Sequence, residues 1–583
     1  MPRQVVVERS FGGQRWVETV ACDALTMALA QRFGVPEVVG RLLAGRGIGL
    51  DDAERFLAPR LRDWLVDPSH LLDLDQAAAH LADAVQRRER LGIISDYDVD
   101  GASSAALFQC WAKVVDVATS LRIPARLTDG YGPSPALFEA LRSAGCRTVL
   151  VLDSGTTAFE ALAYARDRGL DVIVVDHHQA EAALPAALAV INPNRQDQTS
   201  PCTHLAAVGV TFLLLVGVNR ELRRRGHFEA GGEPDLLRLL DLVALGTVAD
   251  VVPLVGLNRA FVCQGLQVAG DVARPGIAAL MTAARLDPPL NARHIGFGLG
   301  PRLNAAGRLA DATLAVELLT TDDPVRAEHV ARQLDALNAE RREVEQNVAD
   351  QALRQLEAQA AAGRRVGLAV GEHWHPGVLG IVAGRLAERF HRPVLVAGGV
   401  DDAYVGSARA PLGFDLGAAL RKTLAAGLAR KAGGHARAGG FTVARAGLAA
   451  FHAAMEAEAT APDLAELRLD ATLAPGGCSA RLVEAVACLE PYGEGHPTPR
   501  FRITDARLVQ ARIVGGRHVK LGLRGSDGTS LGAVAFRSVD TPLGDALLGR
   551  VGETVQLAGK LQIDRYGGQG RAEILVDDAA PWP

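Results

Sequence analysis

The sequence predicts an α/β protein: two α/β lobes joined by a long helix, followed by a C-terminal β-barrel. Three observations predict it. Apolar β-type runs alternate with helical periodicities from about residue 76 to 320, and again from about 364 to 465. Between these regions Asp323–Ala361 holds no glycine and one proline, Pro324, at a first helical position, with apolar and charged residues interleaved as in one long, largely solvated helix. From about 466 the pattern changes to short β-branched segments separated by glycine turns, which predicts a small barrel.

In chain order, residues 1–75 hold short amphipathic helices at Ala24–Phe33, Pro36–Ala44 and Asp51–Leu57, and no clustered site residues. They are expected to form a helical cap on the catalytic domain. With 583 residues, several domains can each bury a core. The net charge of −5 argues against a surface that is basic throughout, so any nucleic-acid grip must be local. The seven cysteines are scattered without a C-x-x-C, which fits a reducing cytoplasm and no structural zinc. The amino terminus lacks the layout of a signal peptide, and the apolar run Leu205–Val218 is too short to span a bilayer.

Within 76–322 the informative stretch is Leu91–Ser104, L-G-I-I-S-D-Y-D-V-D-G-A-S-S: a buried strand, then a turn with Asp96, Asp98 and Asp100, then an apolar helix. Three carboxylates in one turn repel each other unless a cation offsets them, although a solvated turn with helix-capping aspartates would read the same. Recurrence decides between the two. The strand in R-T-V-L-V-L-D-S-G ends in Asp153, the strand in D-V-I-V-V-D-H-H ends in Asp176, His177 and His178, and the helix Leu236–Leu245 leads to Asp250. In an open parallel sheet the C-terminal strand ends share one edge, where such folds place their sites. The expected ligands are Asp98, Asp100, Asp153, His177 and Asp250, with Asp96 a further one. A donor set rich in carboxylates suits two divalent cations, Mn²⁺ or Mg²⁺, better than zinc. Of the adjacent histidines, His178 is assigned to phosphate stabilisation or proton transfer, since neighbours on a strand end do not readily share an ion. Asp176 is expected to orient a histidine. Cys202 and His204 are left out, because a lone histidine at a helix start is more often a cap or a satisfied core group.

Further on, Arg302, Asn304 and Arg308 in P-R-L-N-A-A-G-R read as a phosphate-facing loop, since arginine offers paired donors to phosphate oxygens. In 364–465 the turns are expected to hold His373, His375, Ser407, Arg409, Gly433, Gly434 and His435; glycine-rich turns beside Ser, Arg and His suit an anion, and flexible linkers are the rival reading. Between 500 and 537, Arg500, Arg502, Arg507, Arg512, Arg517, Lys520, Arg524 and Arg537 face only Asp505 and Asp527. The barrel is therefore locally basic and fits an oligonucleotide-binding fold, with Arg517 and Lys520 as phosphate contacts. Aromatics for base stacking are few: Tyr492, Phe501, Phe536 and Tyr566.

D-Y-D-V-D-G, V-L-D-S-G, D-H-H and G-T-V-A-D-V-V-P-L resemble the successive motifs of the DHH phosphoesterase superfamily, and within it the RecJ-type exonucleases. The resemblance continues through P-R-L-N-A-A-G-R, G-E-H-W-H-P-G-V-L-G-I-V-A, G-S-A-R, G-G-H-A-R-A-G-G and E-P-Y-G-E-G-H-P-T-P-R-F. It implies a DHH metal domain at 76–322, a connecting helix at 323–363, a DHH-associated domain at 364–465 and an OB-fold domain at 466–583. It also implies a two-metal 5′→3′ exonuclease on single-stranded DNA, releasing 5′-mononucleotides in repair and recombination, with Asp153 bridging the cations. G-S-A-R and G-G-H would form the 5′-phosphate pocket, and a helicase and a single-strand-binding protein would be the working partners. One departure is Ile94, where some members carry a ligating histidine, which implies a weaker hold on the first metal. The alternatives are a small-substrate phosphoesterase of the same superfamily, which would have no need of a basic barrel, and an inactive replication scaffold, against which the intact aspartates speak.

Overall fold

The computed structural model describes all residues except 1, 126–129, 230, 272–273, 460–464 and 565–569; Tyr566 thus lies outside the described residues. The chain forms two compact units. One comprises Met1–Asp63, Asp463–Tyr492 and His496–Pro583, the other Trp64–Pro462 and Gly493–Gly495.

In the second unit, five parallel strands form the first lobe's sheet in the order Thr119–Arg122, Leu91–Ser95, Thr148–Leu152, Asp171–Val175, Ala189–Ile191. Leu91–Ser95 and Thr148–Leu152 are buried along their whole length, as their unbroken apolar lettering requires of strands covered on both faces. The first strand in sequence lies between the second and the third, so the order reverses between Leu91–Ser95 and Thr148–Leu152. Crossovers leave that point in opposite directions and open a crevice at the carboxyl ends. Helices Val99–Val114, Ala207–Arg224 and Leu240–Ala249 pack around it. The run Leu205–Val218 supplies the buried part of Ala207–Arg224, and among the described residues no helix is long and apolar enough to cross a membrane.

The connector runs over Pro324–Ala361, 38 residues, and the Asp323 carboxylate caps it by accepting from the Val325 N–H at 2.9 Å. It is less solvated than its lettering predicts. Ala327, Val330, Leu334, Asn338, Arg341, Val348, Ala352 and Leu356 recur at helical spacing and are buried. Near its end the amides of Gln355 and Gln359 each donate to and accept from the strand Gly367–Gly371, covering that sheet edge.

The second lobe's sheet has the order Lys431–Gly434, Ala438–Ala444, Ala403–Arg409, Val394–Val400, Gly367–Gly371. Ser407, Arg409, Gly433 and Gly434 therefore lie on strands, whereas the sequence reading placed them in turns. P-R-L-N-A-A-G-R likewise forms part of the helix Gly300–Leu309, not a loop. Pro301 sits in its first turn, directly after the wider helical turn His294–Leu299. At Gly307 any Cβ would run into the Tyr97 carbonyl, so this glycine is there for close approach and not to break the helix.

In the first unit, strands Phe501–Val514, His518–Gly525, Ser530–Ala535, Arg571–Pro581 and Thr554–Asp564 pair in turn, and the last closes back on Phe501–Val514. The amino-terminal segment belongs to this same unit and shares its core. Leu29, Val39, Leu42, Leu43 and Ala53 share one core with barrel residues such as Ile503, Leu521 and Leu557. It also begins with a hairpin, Arg3–Val7 and Arg15–Thr19, whose second strand pairs in parallel with Glu466–Leu469.

Candidate metal centre

Asp96, Asp98, Asp100, Asp153, His177, His178 and Asp250 meet at the reversal point. Their donor atoms fall into three overlapping groups, each within 4.8 Å: Asp96, Asp98 and Asp153; Asp100, His177 and Asp250; Asp153, His177 and His178. His177 Nε2 is at the middle, 3.4 Å from Asp153 Oδ1, 3.5 Å from Asp250 Oδ2 and 3.9 Å from Asp100 Oδ2. Asp153 Oδ1, His177 Nε2 and Asp250 Oδ2 are buried with no hydrogen-bond partner. Aimed at one another and unsatisfied, such atoms are costly unless a cation completes them, and the residue types fit Mn²⁺ or Mg²⁺.

Local structure fixes each group. Asp98 caps the helix Val99–Val114, one oxygen accepting from the Asp100 and Gly101 N–H groups at 3.0 and 3.1 Å. The capping and metal readings of the acidic turn thus apply to the same residue. The Asp100 carboxylate accepts from the N–H groups of Ala207 and Val208 at 2.6 and 3.0 Å, at the amino end of helix Ala207–Arg224, which favours negative charge. Asp153 has a left-handed backbone, φ 61°, and Val251, next to Asp250, has the same φ. For a β-branched residue this is a strained conformation, held where it re-aims a neighbouring side chain.

The adjacent histidines divide in role. Asp176 Oδ1 accepts from the His177 N–H at 2.7 Å, the His178 N–H at 3.1 Å and His178 Nδ1 at 2.7 Å, while Oδ2 accepts from the Thr156 N–H at 3.1 Å. Burial and the neighbouring His178 charge push His177 down to about 4, so it is neutral and ready to ligate. Burial also acts to lower His178, but the Asp176 hydrogen bond and charge outweigh it and raise the ring to about 9. Burial and the mutual repulsion of the aspartates raise Asp100 to about 7, Asp250 to about 9, and Asp153 well above the usual carboxylate range. These carboxylates cannot all stay charged without a cation.

Three supporting residues escaped the sequence reading. Asn192 donates to Thr156 Oγ1 at 2.9 Å and to the His178 carbonyl at 2.8 Å, and Asn194 donates to the His177 carbonyl at 2.6 Å. The signal that could have found them is I-N-P-N at a strand end. The Tyr131 hydroxyl lies 3.4 Å from the His178 ring nitrogens, and its loop offered no periodic pattern to find it by.

The anion candidates are only partly gathered. Ser407 and Arg409 share one strand face; Ser407 pairs with Gly440, which in turn pairs with Gly433. A Cβ on Gly380 would come within 3.1 Å of Arg409 Nη2 and 3.5 Å of Ser407 Oγ, so helix Pro376–Phe390 lies directly over this pair. Gly434, the last residue of its strand, and His435 just after it are exposed. His375 caps that helix by accepting from the Gly377 N–H at 3.1 Å. Arg302 is committed elsewhere, its Nε donating to Asp335 at 2.9 Å. Arg308 Nη1 donates to the Gly377 carbonyl at 2.8 Å.

On the barrel, Lys520 Nζ lies 3.6 Å from Glu573 and 3.7 Å from Asp564, which offsets part of its charge. Arg517 is exposed on the turn after Val514. Of the named aromatics Phe501 is core at 2% exposure, and Tyr492 stacks on His496; Phe536 is exposed at 59%.

Family models match residues 90–247 (DHH family, N-terminal domain), 363–461 (DHHA1 domain) and 469–578 (RecJ OB domain). Single-stranded-DNA-specific exonuclease RecJ of Escherichia coli K12 is 37% identical, over 94% of this chain and 96% of its own. That of Bacillus subtilis 168 is 30% identical, over 95% of this chain and 69% of its own. The crystal structure of RecJ in complex with Mn²⁺ from Thermus thermophilus aligns with a TM-score of 0.79 at 29% identity, covering 96% of this chain and 78% of that one.

Proposed function

Because the chain belongs to the RecJ family of single-stranded-DNA-specific exonucleases, we propose that the aspartate and histidine cluster at the sheet's reversal point is its catalytic metal centre. The protein is a metal-dependent exodeoxyribonuclease that hydrolyses single-stranded DNA with two divalent cations, Mn²⁺ or Mg²⁺, and acts in DNA repair and recombination. The observation that carries the site assignment is the convergence of three unpartnered buried donors, from Asp153, His177 and Asp250, on one point.

Cations held there supply an activated water, an oriented scissile phosphate and charge for the leaving oxygen. Asp96, Asp98, Asp100, Asp153, His177 and Asp250 are the proposed ligands, and Asp153 and His177 each lie in two of the donor groups. Asp176 holds His178 as an imidazolium whose free edge donates to the reacting phosphate or returns a proton to the leaving oxygen. Asn192 and Asn194 donate to the carbonyls of the histidine pair and so hold the backbone that carries both rings.

Ser407, Arg409, Gly433, Gly434 and His435 are proposed to hold the 5′-phosphate, which would set 5′→3′ polarity and release 5′-mononucleotides. Support comes from the strand face shared by Ser407 and Arg409 and from the paired donors a guanidinium presents. The proposed domains are the metal lobe 76–322, connector 323–363, second lobe 364–465 and barrel 466–583. A cytoplasmic setting is proposed from seven free cysteines, and a helicase and a single-strand-binding protein are the proposed partners. Incubating the full chain and Mn²⁺ with a long 5′-phosphorylated single strand and with a dinucleotide tests the reading. Mononucleotides appearing from the strand's 5′ end are expected; activity confined to the dinucleotide overturns it.

A further inference from the structure

A cavity of about 150 Å³ lies where the connector helix passes the metal-binding lobe, lined by Ala249, Gly300, Asn304, Arg308 and Arg341, with Ile381 contributed by the second lobe. Arg341 is the unusual member. It is 8% exposed on the buried stripe of the connector. Its Nη1 donates to Glu345 Oε2 at 2.8 Å and its Nη2 to Asn338 Oδ1 at 2.9 Å. Its Nε is buried and has no hydrogen-bond partner.

A guanidinium taken out of water with one donor unmet is costly, and the natural complement is an acceptor in the cavity it borders. No carboxylate lines that cavity, and the polar groups that do, from Asn304, Arg308 and Arg341, all offer N–H donors. Ala249 directly precedes the metal-centre Asp250, so the cavity adjoins the proposed site of hydrolysis.

We propose that this cavity is a phosphate subsite, with Arg341 as its buried donor, taking a phosphodiester phosphate of the bound strand. The inference rests on the nuclease reading and extends it by placing a substrate contact on the connector helix. The site chemistry is that of a tetrahedral oxyanion, so inorganic phosphate shares it.

The test uses the full chain in EDTA, with a fluorescent 5′-phosphorylated oligonucleotide and, separately, calorimetric titration with inorganic phosphate. Arg341→Gln is expected to weaken strand binding about tenfold and to lower the salt slope by about 0.7. Arg341→Lys restores the slope but only part of the affinity, because an ammonium lacks the planar fork. Asn304→Ala removes a donor without stranding Glu345 and is expected to weaken binding about fivefold, which keeps the proposal testable should Arg341→Gln misfold. Phosphate bound by the wild type but not by Arg341→Gln shows a subsite open to both sources. Strand affinity lost without phosphate binding confines it to the strand; either result supports the proposal. Wild-type affinity and slope in all three variants overturn it. Cleavage of single strands by the wild type is measured in a parallel sample with Mn²⁺, where its absence counts against the nuclease reading, whereas the phosphate titration probes the subsite independently of DNA.

Discussion

Asp153 ends a strand, sits in left-handed backbone and lies in two donor groups, so its side chain can be tested apart from its conformation. Asp153→Ala is expected to abolish hydrolysis while strand binding persists, and Asp153→Asn, which tolerates the same φ, to do so while remaining folded; undiminished cleavage by either rejects the assignment. Asp176→Asn removes the charge that holds His178 near 9. If His178 works as the imidazolium, kcat falls about 10- to 100-fold and the alkaline limb of the pH profile moves to lower pH. A purely structural role would leave that limb in place. The raised carboxylates give a third expectation. A folded-state pKa above the unfolded value near 3.9 means the native protein binds more protons between those limits. Without metal, then, stability present at low pH is lost as pH rises through about 7 for Asp100 and about 9 for Asp250. Cations compete with those protons, so the rise in melting temperature on adding Mn²⁺ should grow between about pH 5 and 9; a shift independent of pH contradicts it. At this scale the clustering of the proposed ligands was legible because an aspartate closing an unbroken apolar run is chemically out of place there. Tyr131, Asn192 and Asn194 were not, since a lone polar residue in a connection looks like any other.

Strands Leu91–Ser95, Thr148–Leu152 and Asp171–Val175 appear where their lettering put them, because burial on both faces leaves few alternatives to β-branched and leucine runs. The misread elements are those in which a breaker residue serves packing. Gly300, Pro301 and Gly307 look like a loop, yet Pro301 is in a first turn and Gly307 lets its helix touch the Asp96–Asp98 turn. Gly307→Ala should cost about 1–3 kcal/mol, read from the denaturant midpoint, with weakened Mn²⁺ binding as the turn is displaced. A change within error would mean the helix yields freely. G-S-A-R was misread for a related reason: small residues dilute the β signal of a strand that helix Pro376–Phe390 must approach closely.

Across the whole molecule, the order of domains could be read from shifts in periodicity, but not which pieces share a core. Leu29, Leu42 and Ile503 are far apart in sequence, and nothing in a helical stripe says which barrel will cover it. The barrel's charge also sorts differently from its composition, since Lys520 is offset by Asp564 and Glu573 while Arg517 is exposed. Arg517→Glu is expected to weaken binding of long strands and reduce its salt slope, leaving short-substrate cleavage near normal, whereas Lys520→Ala changes the slope less. Equal losses on long and short substrates would count against a strand-holding role for the barrel.

The proposed metal centre draws its first carboxylate from position 96 and its last from position 250, on either side of a reversal in strand order. No contiguous fragment shorter than that span carries the full set. On the proposed assignment, a growing chain stays harmless to nucleic acid nearby until the helix ahead of Asp250 has emerged and docked. A proteolytic fragment that ends before Asp250 likewise lacks one of the proposed ligands.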